Sequence, residues 1–311
     1  MTLPILALVT LGLTFCGAQG APAEDTVITV RSSIDGAEQP CEFVPSNKEG
    51  AQPMLVFLHP WSAHFDGFDI SAWRIEARSR GWHFLAPDFR GPNRRPEACG
   101  SRLARQDILD AVAHVLQKHP IDERRIYLAG TSGGGHMAMV MAAHAPEQWA
   151  AVSEWCGISG LAAWHQETKA AGRKYCKDIE AVVGGAPGSS AAVDRELRYR
   201  SPVFHLAAAR GLPIDFNAGI HDGHTGSVPV HHTLDAFNAV ARARGDAPVS
   251  KKEIARLSAR QGLDTTAEPD PVYGRVIHFR RTSGDARVTI FEGGHEGIAE
   301  AACAWLAQHK R

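Results

Sequence analysis

The stretch Ala129-Gly130-Thr131-Ser132-Gly133-Gly134-Gly135-His136 decides the fold. It sets a serine among glycines, directly after the apolar run Arg125-Ile126-Tyr127-Leu128-Ala129 and before Met137, Val140 and Met141 at helical spacing, with Pro146 beyond. A chain that leaves a strand and enters a helix through so short a turn has no room for side chains beside the turning residue. Small residues therefore flank it, and the serine is forced into a strained backbone conformation. The hydroxyl then stands exposed at the carboxyl edge of a sheet. The next N–H, from Gly133, opens the helix, where unpaired donors and the helix dipole favour a developing oxyanion. This is the pattern of a nucleophile elbow.

On both sides of the turn, apolar strand candidates alternate with helical stretches, the order of a mostly parallel sheet covered by helices. Residues 54–58, 82–86, 150–153, 213–218 and 288–291 read as strands. Helices are expected over about 70–80 and 101–118, the second turning Leu103, Ile108, Val112 and Val115 inward. Val30 and residues 41–44 suggest an antiparallel start. Two stretches interrupt the alternation. Residues 158–205, with Trp164, His165, Lys169, Arg173, Lys174, Tyr175 and Lys177, read as a small cap over the carboxyl ends of the strands. Residues 246–283 are polar, broken by Pro248, Pro269 and Pro271, and read as an excursion between the last helix and strand pairs.

A serine hydroxyl is a poor nucleophile at neutral pH, so Ser132 needs a base, and the base needs an orienting carboxylate. After an elbow the chain order is serine, acid, histidine. His295 sits in Phe291-Glu292-Gly293-Gly294-His295, a glycine-flanked turn after the final strand, and is the expected base. Asp222 lies just beyond the 213–218 strand and is the expected acid. Asp215 falls inside that strand, while Asp235 and Asp246 lie further along the chain.

Gly130-Thr131-Ser132-Gly133-Gly134, Asp222 with Ser227-Val228-Pro229-Val230-His231-His232 downstream, and Gly293-Gly294-His295 together resemble the alpha/beta-hydrolase superfamily. Within it the chain is similar to the catalytic domain of prolyl oligopeptidase-type serine hydrolases and to their single-domain esterase relatives, over about residues 50–310. The resemblance implies an α/β fold with a mostly parallel central sheet flanked by helices. It also implies an acyl-enzyme formed on Ser132, with His295 as base and Asp222 as its partner. Gly133 is the first oxyanion donor. The His-Gly usual before the first helix is here Leu58-His59-Pro60-Trp61, so by analogy the second donor is the backbone N–H of Trp61, Pro60 having none. His59, Trp155 and Trp164 are candidate pocket residues, with core or cap packing as the other reading of the tryptophans.

On these grounds the expected function is a secreted hydrolase of carboxylic esters, acting on a small molecule or on acyl groups of a polysaccharide. The alternative is a serine peptidase of prolyl oligopeptidase type, ranked lower because 311 residues leave no room for that family's large N-terminal propeller. A non-catalytic binding module ranks last, since all three triad members are kept in order.

Composition sets the outer limits. With 44% apolar and 22% charged residues the chain is of ordinary globular type. A formal charge of -1 and a pI near 7.0 argue against nucleic acid as a partner. Residues 4–15 are apolar but too short for a comfortable membrane span, so residues 1–22 read as a signal peptide and 23–311 as the catalytic domain, secreted or periplasmic. Lipid anchoring at Cys16 is not expected because Phe15 is too bulky for the preceding position. An oxidising compartment suggests disulfides, with Cys156–Cys176 and Cys41–Cys99 as the expected pairs and Cys303 as a buried thiol. No cofactor and no metal are expected. Among sixteen histidines, His221, His224, His231 and His232 cluster, but their spacing matches no standard ligand set, and they read as surface or hydrogen-bonded residues. Gly157-Ile158-Ser159-Gly160 reads as a loop, not a second serine site, and Lys169, Arg173, Lys174 and Lys177 as a solvated helix face.

Overall fold

The run Gln52–Leu58 is apolar at nearly every position and buried on both faces, as a central strand covered by helices on each side must be. Met54, Val56 and Leu58 point into one core, and Leu55 and Phe57 into another. A computed structural model describes residues 26–67, 70–264 and 266–311, so the signal-peptide reading of residues 1–22 lies outside the described residues.

The strands are β1 (Thr26–Arg31), β2 (Glu38–Val44), β3 (Gln52–Leu58), β4 (His83–Pro87), β5 (Ile121–Thr131), β6 (Ala151–Trp155), β7 (Ile214–Gly219), β8 (Ile277–Ser283) and β9 (Ala286–Phe291). They form one sheet in the order β1-β2-β4-β3-β5-β6-β7-β9-β8. From β4 to β9 all neighbours run parallel, and β1, β2 and β8 are antiparallel additions at the two edges. The alpha/beta-hydrolase architecture expected from the sequence is thus present. One face is covered by α2 (Arg102–Leu116), α3 (Gly133–His144) and α7 (His231–Arg244), the other by α1 (Ser71–Ser79) and α9 (Ala299–Leu306). Helix α3 is buried around its whole girth, from Met137 to Ala142, which suits a helix that follows the central strand. In α2, Ser101 caps the start by accepting the Ala104 N–H at 3.0 Å. Ile108, Val112 and Val115 face inward as expected, but Leu103 is only half-buried and Ala104 takes its place.

Helices α4 (Leu161–Ala170), α5 (Tyr175–Val183) and α6 (Ala191–Arg200) occupy the stretch read as a cap. Ile158, Leu161, Trp164, Ile179, Val193 and Leu197 form a third apolar cluster with Trp61 and Val228. Those last two lie in the loops after β3 and β7, so the three helices rest on the carboxyl ends of the strands. The polar excursion holds more structure than its sequence suggested. It contains α8 (Lys251–Ser258), begun by a capping box between Ser250 and Glu253, and the edge strand β8. Among the described residues, strand β8 pairs only with β9 and is mostly half-exposed, so it carries little apolar signal.

The expected disulfides are absent. Cys41, Cys99, Cys156, Cys176 and Cys303 are all free and buried. They are distributed among separate packing layers: Cys41 and Cys156 in the first core, Cys303 in the second and Cys99 in the third. The Cys156 thiol donates to the Glu296 carbonyl at 3.3 Å and the Cys176 thiol to the Arg173 carbonyl at 3.3 Å. Among the described residues no helix is long and apolar enough to cross a membrane.

Candidate active site

Strand β5 ends at Thr131 and α3 begins at Gly133, so Ser132 alone makes the turn, at φ 60° and ψ -118°. Such a conformation costs a non-glycine residue about 1–3 kcal/mol and persists only where the surroundings impose it. Here the Ser132 N–H donates to the Trp155 carbonyl at 2.8 Å, and the His136 N–H to the Ser132 carbonyl at 2.9 Å. The flanking glycines are sterically required. A Cβ on Gly133 would run into the Trp61 backbone, and one on Gly134 into the Leu58 carbonyl. This close approach puts the Gly133 and Trp61 N–H groups beside each other. Neither has a backbone acceptor among the described residues. Both remain free to donate to an oxyanion.

Asp222 and His295 come from the loops after β7 and β9, adjacent parallel strands whose carboxyl ends lie side by side. His295 Nδ1 is 2.6 Å from Asp222 Oδ2. The other carboxylate oxygen accepts the Gly223 N–H at 2.9 Å and the Val228 N–H at 3.0 Å. Three donors thus converge on a carboxylate that is 1% exposed. With Nδ1–H directed at Asp222, the His295 lone pair is on Nε2. Gly226 closes the loop tightly enough that a Cβ there would strike the Asp222 carboxylate. Ser132 and His295 open onto one cavity of about 330 Å³, walled by Trp61, Ala63, Thr131 and Tyr175. A larger cleft of about 590 Å³, bordered by Trp149, Arg210, Asp285 and Arg311, holds none of these residues.

The three candidate pocket residues lie elsewhere. His59 is 1% exposed and stacked on Phe89, with its ring nitrogens 2.7 Å from the Asp88 carbonyl and 3.0 Å from that of Pro60. Burial lowers its pKa. It braces the turn that carries Trp61. Trp155 is fully buried among Trp73, Tyr273 and Phe291 and donates to Ser153 Oγ at 2.9 Å. Trp164 is buried behind the cavity wall, packed on Trp61 and Tyr175 with ring centroids 4.7 and 4.9 Å apart, and donates to the Ser227 carbonyl at 2.8 Å. The tryptophans therefore pack the core and the cap, and Tyr175 is the aromatic side chain of the stretch 158–205 that reaches the cavity.

Two further groups were not anticipated. Glu154, on β6, is fully buried. Its Oε1 accepts the Gly157 N–H and its Oε2 has no partner among the described residues. Burial, with the Asp215 and Asp222 charges nearby, pushes its carboxyl up to about 8. Cys156 places its sulfur within 4.8 Å of the Asp222 and His295 ligand atoms. Burial, with Asp222 next, raises that thiol well above its usual range, so it stays protonated at neutral pH. Neither residue sits in a recognisable local motif. The one available signal was an acidic residue inside an otherwise buried strand, Ala151–Trp155. The four clustered histidines separate: His221 reaches Glu292 at 2.6 Å, His224 the Ser258 carbonyl at 2.8 Å, and His231 and His232 both turn to Glu167.

Comparison with known proteins agrees with this architecture. The acylaminoacyl peptidase of Pyrococcus horikoshii superposes with a TM-score of 0.61 at 19% identity, covering 72% of this chain and 36% of that one. A puromycin hydrolase superposes with a TM-score of 0.62 at 16% identity, covering 91% of this chain and 38% of that one. At such identities the likeness is one of fold. In sequence, the uncharacterized peptidase YtmA of Bacillus subtilis (strain 168) is 31% identical over 131 residues, 41% of this chain and 48% of that protein. The chain thus spans about half the length of that curated relative. The prolyl oligopeptidase family model matches residues 68–250, a span that includes Ser132 and Asp222 and ends before His295. That match takes in more than half of the sequence, and the chain belongs to the prolyl oligopeptidase family.

Proposed function

We propose that the chain is a serine hydrolase that cleaves the amide bond of a peptide or acylated amino acid through an acyl-enzyme on Ser132. The observation that carries the reading is the convergence of a strained serine, an Asp222-held imidazole and two free N–H donors around one cavity. His295 Nε2 takes the Ser132 proton as Oγ attacks the carbonyl, and Asp222 stabilises the imidazolium that forms. The Gly133 and Trp61 N–H groups receive the oxyanion, the imidazolium protonates the leaving group, and water repeats the sequence to free the acid. The relatives named above favour a peptidase over the carboxylic-ester hydrolase expected from the sequence.

A panel of aminoacyl and Pro-linked anilides, nitrophenyl esters and acetylated or feruloylated sugars tests the proposal. Anilide turnover is expected, with kcat lowered by about 10⁶-fold in Ser132→Ala and about 10⁴-fold in Asp222→Asn. Turnover confined to the esters would restore the ester reading. Full activity in Ser132→Ala would end the mechanism altogether.

A further inference from the structure

The geometry points to a second site, unconnected with the serine: a zinc-type divalent cation held by Glu167, His231 and His232. Glu167 comes from α4 and the histidines from the first turn of α7. Their ligand atoms all lie within 4.8 Å of one another. Glu167 Oε1 is 2.6 Å from His231 Nε2, and Oε2 is 3.0 Å from His232 Nε2. In a tetrahedral shell with bonds of about 2.0–2.2 Å, neighbouring ligand atoms stand roughly 3.3 Å apart. Room for the ion is made when the Glu167–His231 contact opens by about 0.7 Å and the Glu167–His232 contact by about 0.3 Å. Two imidazoles and one carboxylate form a set that suits zinc and its transition-metal neighbours, not magnesium or calcium, which take oxygen ligands.

The ring nitrogens that would not bind the ion are also occupied. His231 Nδ1 is 3.1 Å from Asp235 Oδ2, one turn along the helix, the carboxylate–histidine arrangement that orients a metal ligand. His232 Nδ1 lies 3.3 Å from the Ser159 hydroxyl. With the ion bound, each imidazole offers Nε2 and keeps its proton on Nδ1. That proton is donated to Asp235 in one case and to the Ser159 oxygen in the other, and the long 3.4 Å contact from the Gly160 N–H to His232 is given up. Any further proton on Nε2 leaves to solvent as the metal enters. His231, His232 and Asp235 also line a cavity of about 340 Å³, separate from the Ser132 cavity, that opens beside the two imidazoles. No spacing rule could find this set, because the histidines are adjacent in sequence and the carboxylate lies 64 residues away from His231.

Stripping the full-length chain with a chelator and titrating it with Co²⁺, then Zn²⁺, tests the site. One equivalent of Co²⁺ per chain is expected, with the visible absorption of a four-coordinate ion, displaced by Zn²⁺. Glu167→Gln should abolish that band, Asp235→Asn should weaken affinity about 10–100-fold, and Ser132→Ala should leave both unchanged. Cys156→Ser separates this site from the Cys156, Asp222 and His295 group, whose ligand atoms also lie within 4.8 Å of one another. No stoichiometric uptake, uptake that survives Glu167→Gln, or uptake lost in Cys156→Ser would each overturn the inference. Should Glu167→Gln fail to fold, wild-type affinity in Asp235→Asn would overturn it instead, and the expected loss would support it.

Discussion

At the residue scale, Ser132 is held at φ 60° among neighbours that are themselves unusual. Behind the turn, His136 is fully buried and burial pushes its pKa down to about 4, while Glu154 is pushed up to about 8. The two have opposite consequences for stability. A buried neutral histidine contributes stability above its unfolded value of about 6.5, and that contribution is lost as pH falls toward 4. A buried protonated glutamate contributes most below its unfolded value of about 4.3, and loses that contribution as pH rises toward 8. Glu154→Gln keeps the uncharged shape and removes the titration. Its thermal midpoint is expected to change less than wild type between about pH 5 and 9, by the roughly 10 °C that corresponds to about 4 kcal/mol. Parallel melting curves for the two proteins across that range would exclude a titrating Glu154.

At the scale of elements, the helices over the strand ends contribute one side chain to the cavity at Ser132. Tyr175 opens α5 and lines the cavity, with Trp164 of α4 stacked behind it. Tyr175→Ala should remove one wall while leaving the triad in place. For substrates with a large group in that cavity, KM should rise about 10-fold with kcat nearly kept, the signature of lost ground-state binding. Steady-state kinetics over substrates of graded size provide the check, and a uniform fall in kcat would place the role of Tyr175 in the chemical step instead. The elements themselves were legible to different degrees. Strand β3 and the β5 to α3 turn are written in local apolar runs and glycines. Strand β8 is not, because an edge strand covered on little of its surface needs few apolar residues. Leu103 illustrates the same limit within α2: helical spacing marks a stripe, but Ala104 gained the inward position because a small residue fits closely against the sheet.

At the scale of the whole molecule, the sheet brings distant charges together inside the protein. Asp215 on β7 is fully buried, and Arg287 on β9 grips both of its oxygens at 2.8 and 3.0 Å while also donating to the Tyr273 hydroxyl at 3.2 Å. Removing one partner of such a pair strands the other charge out of water. Arg287→Met is therefore expected to cost about 3–5 kcal/mol in chemical denaturation, far more than the 0–1 kcal/mol typical of an exposed pair. A loss below about 1 kcal/mol would mean that water relieves the site.

The sequence was sufficient for the elbow and for the alternation of strands and helices, and it named the Asp222 and His295 that the structure sets 2.6 Å apart, because backbone sterics act between near neighbours and chain order follows the order of parallel strands. Tertiary structure alone decided which groups share a space. It left five cysteines unpaired, moved His59, Trp155 and Trp164 out of the cavity and Tyr175 into it, buried the Glu154 carboxyl, and brought Glu167 to His231 and His232. Each of these depends on distances between side chains far apart in the chain, and on how much water the packing leaves beside them. Neither quantity is recorded in any local run of residues.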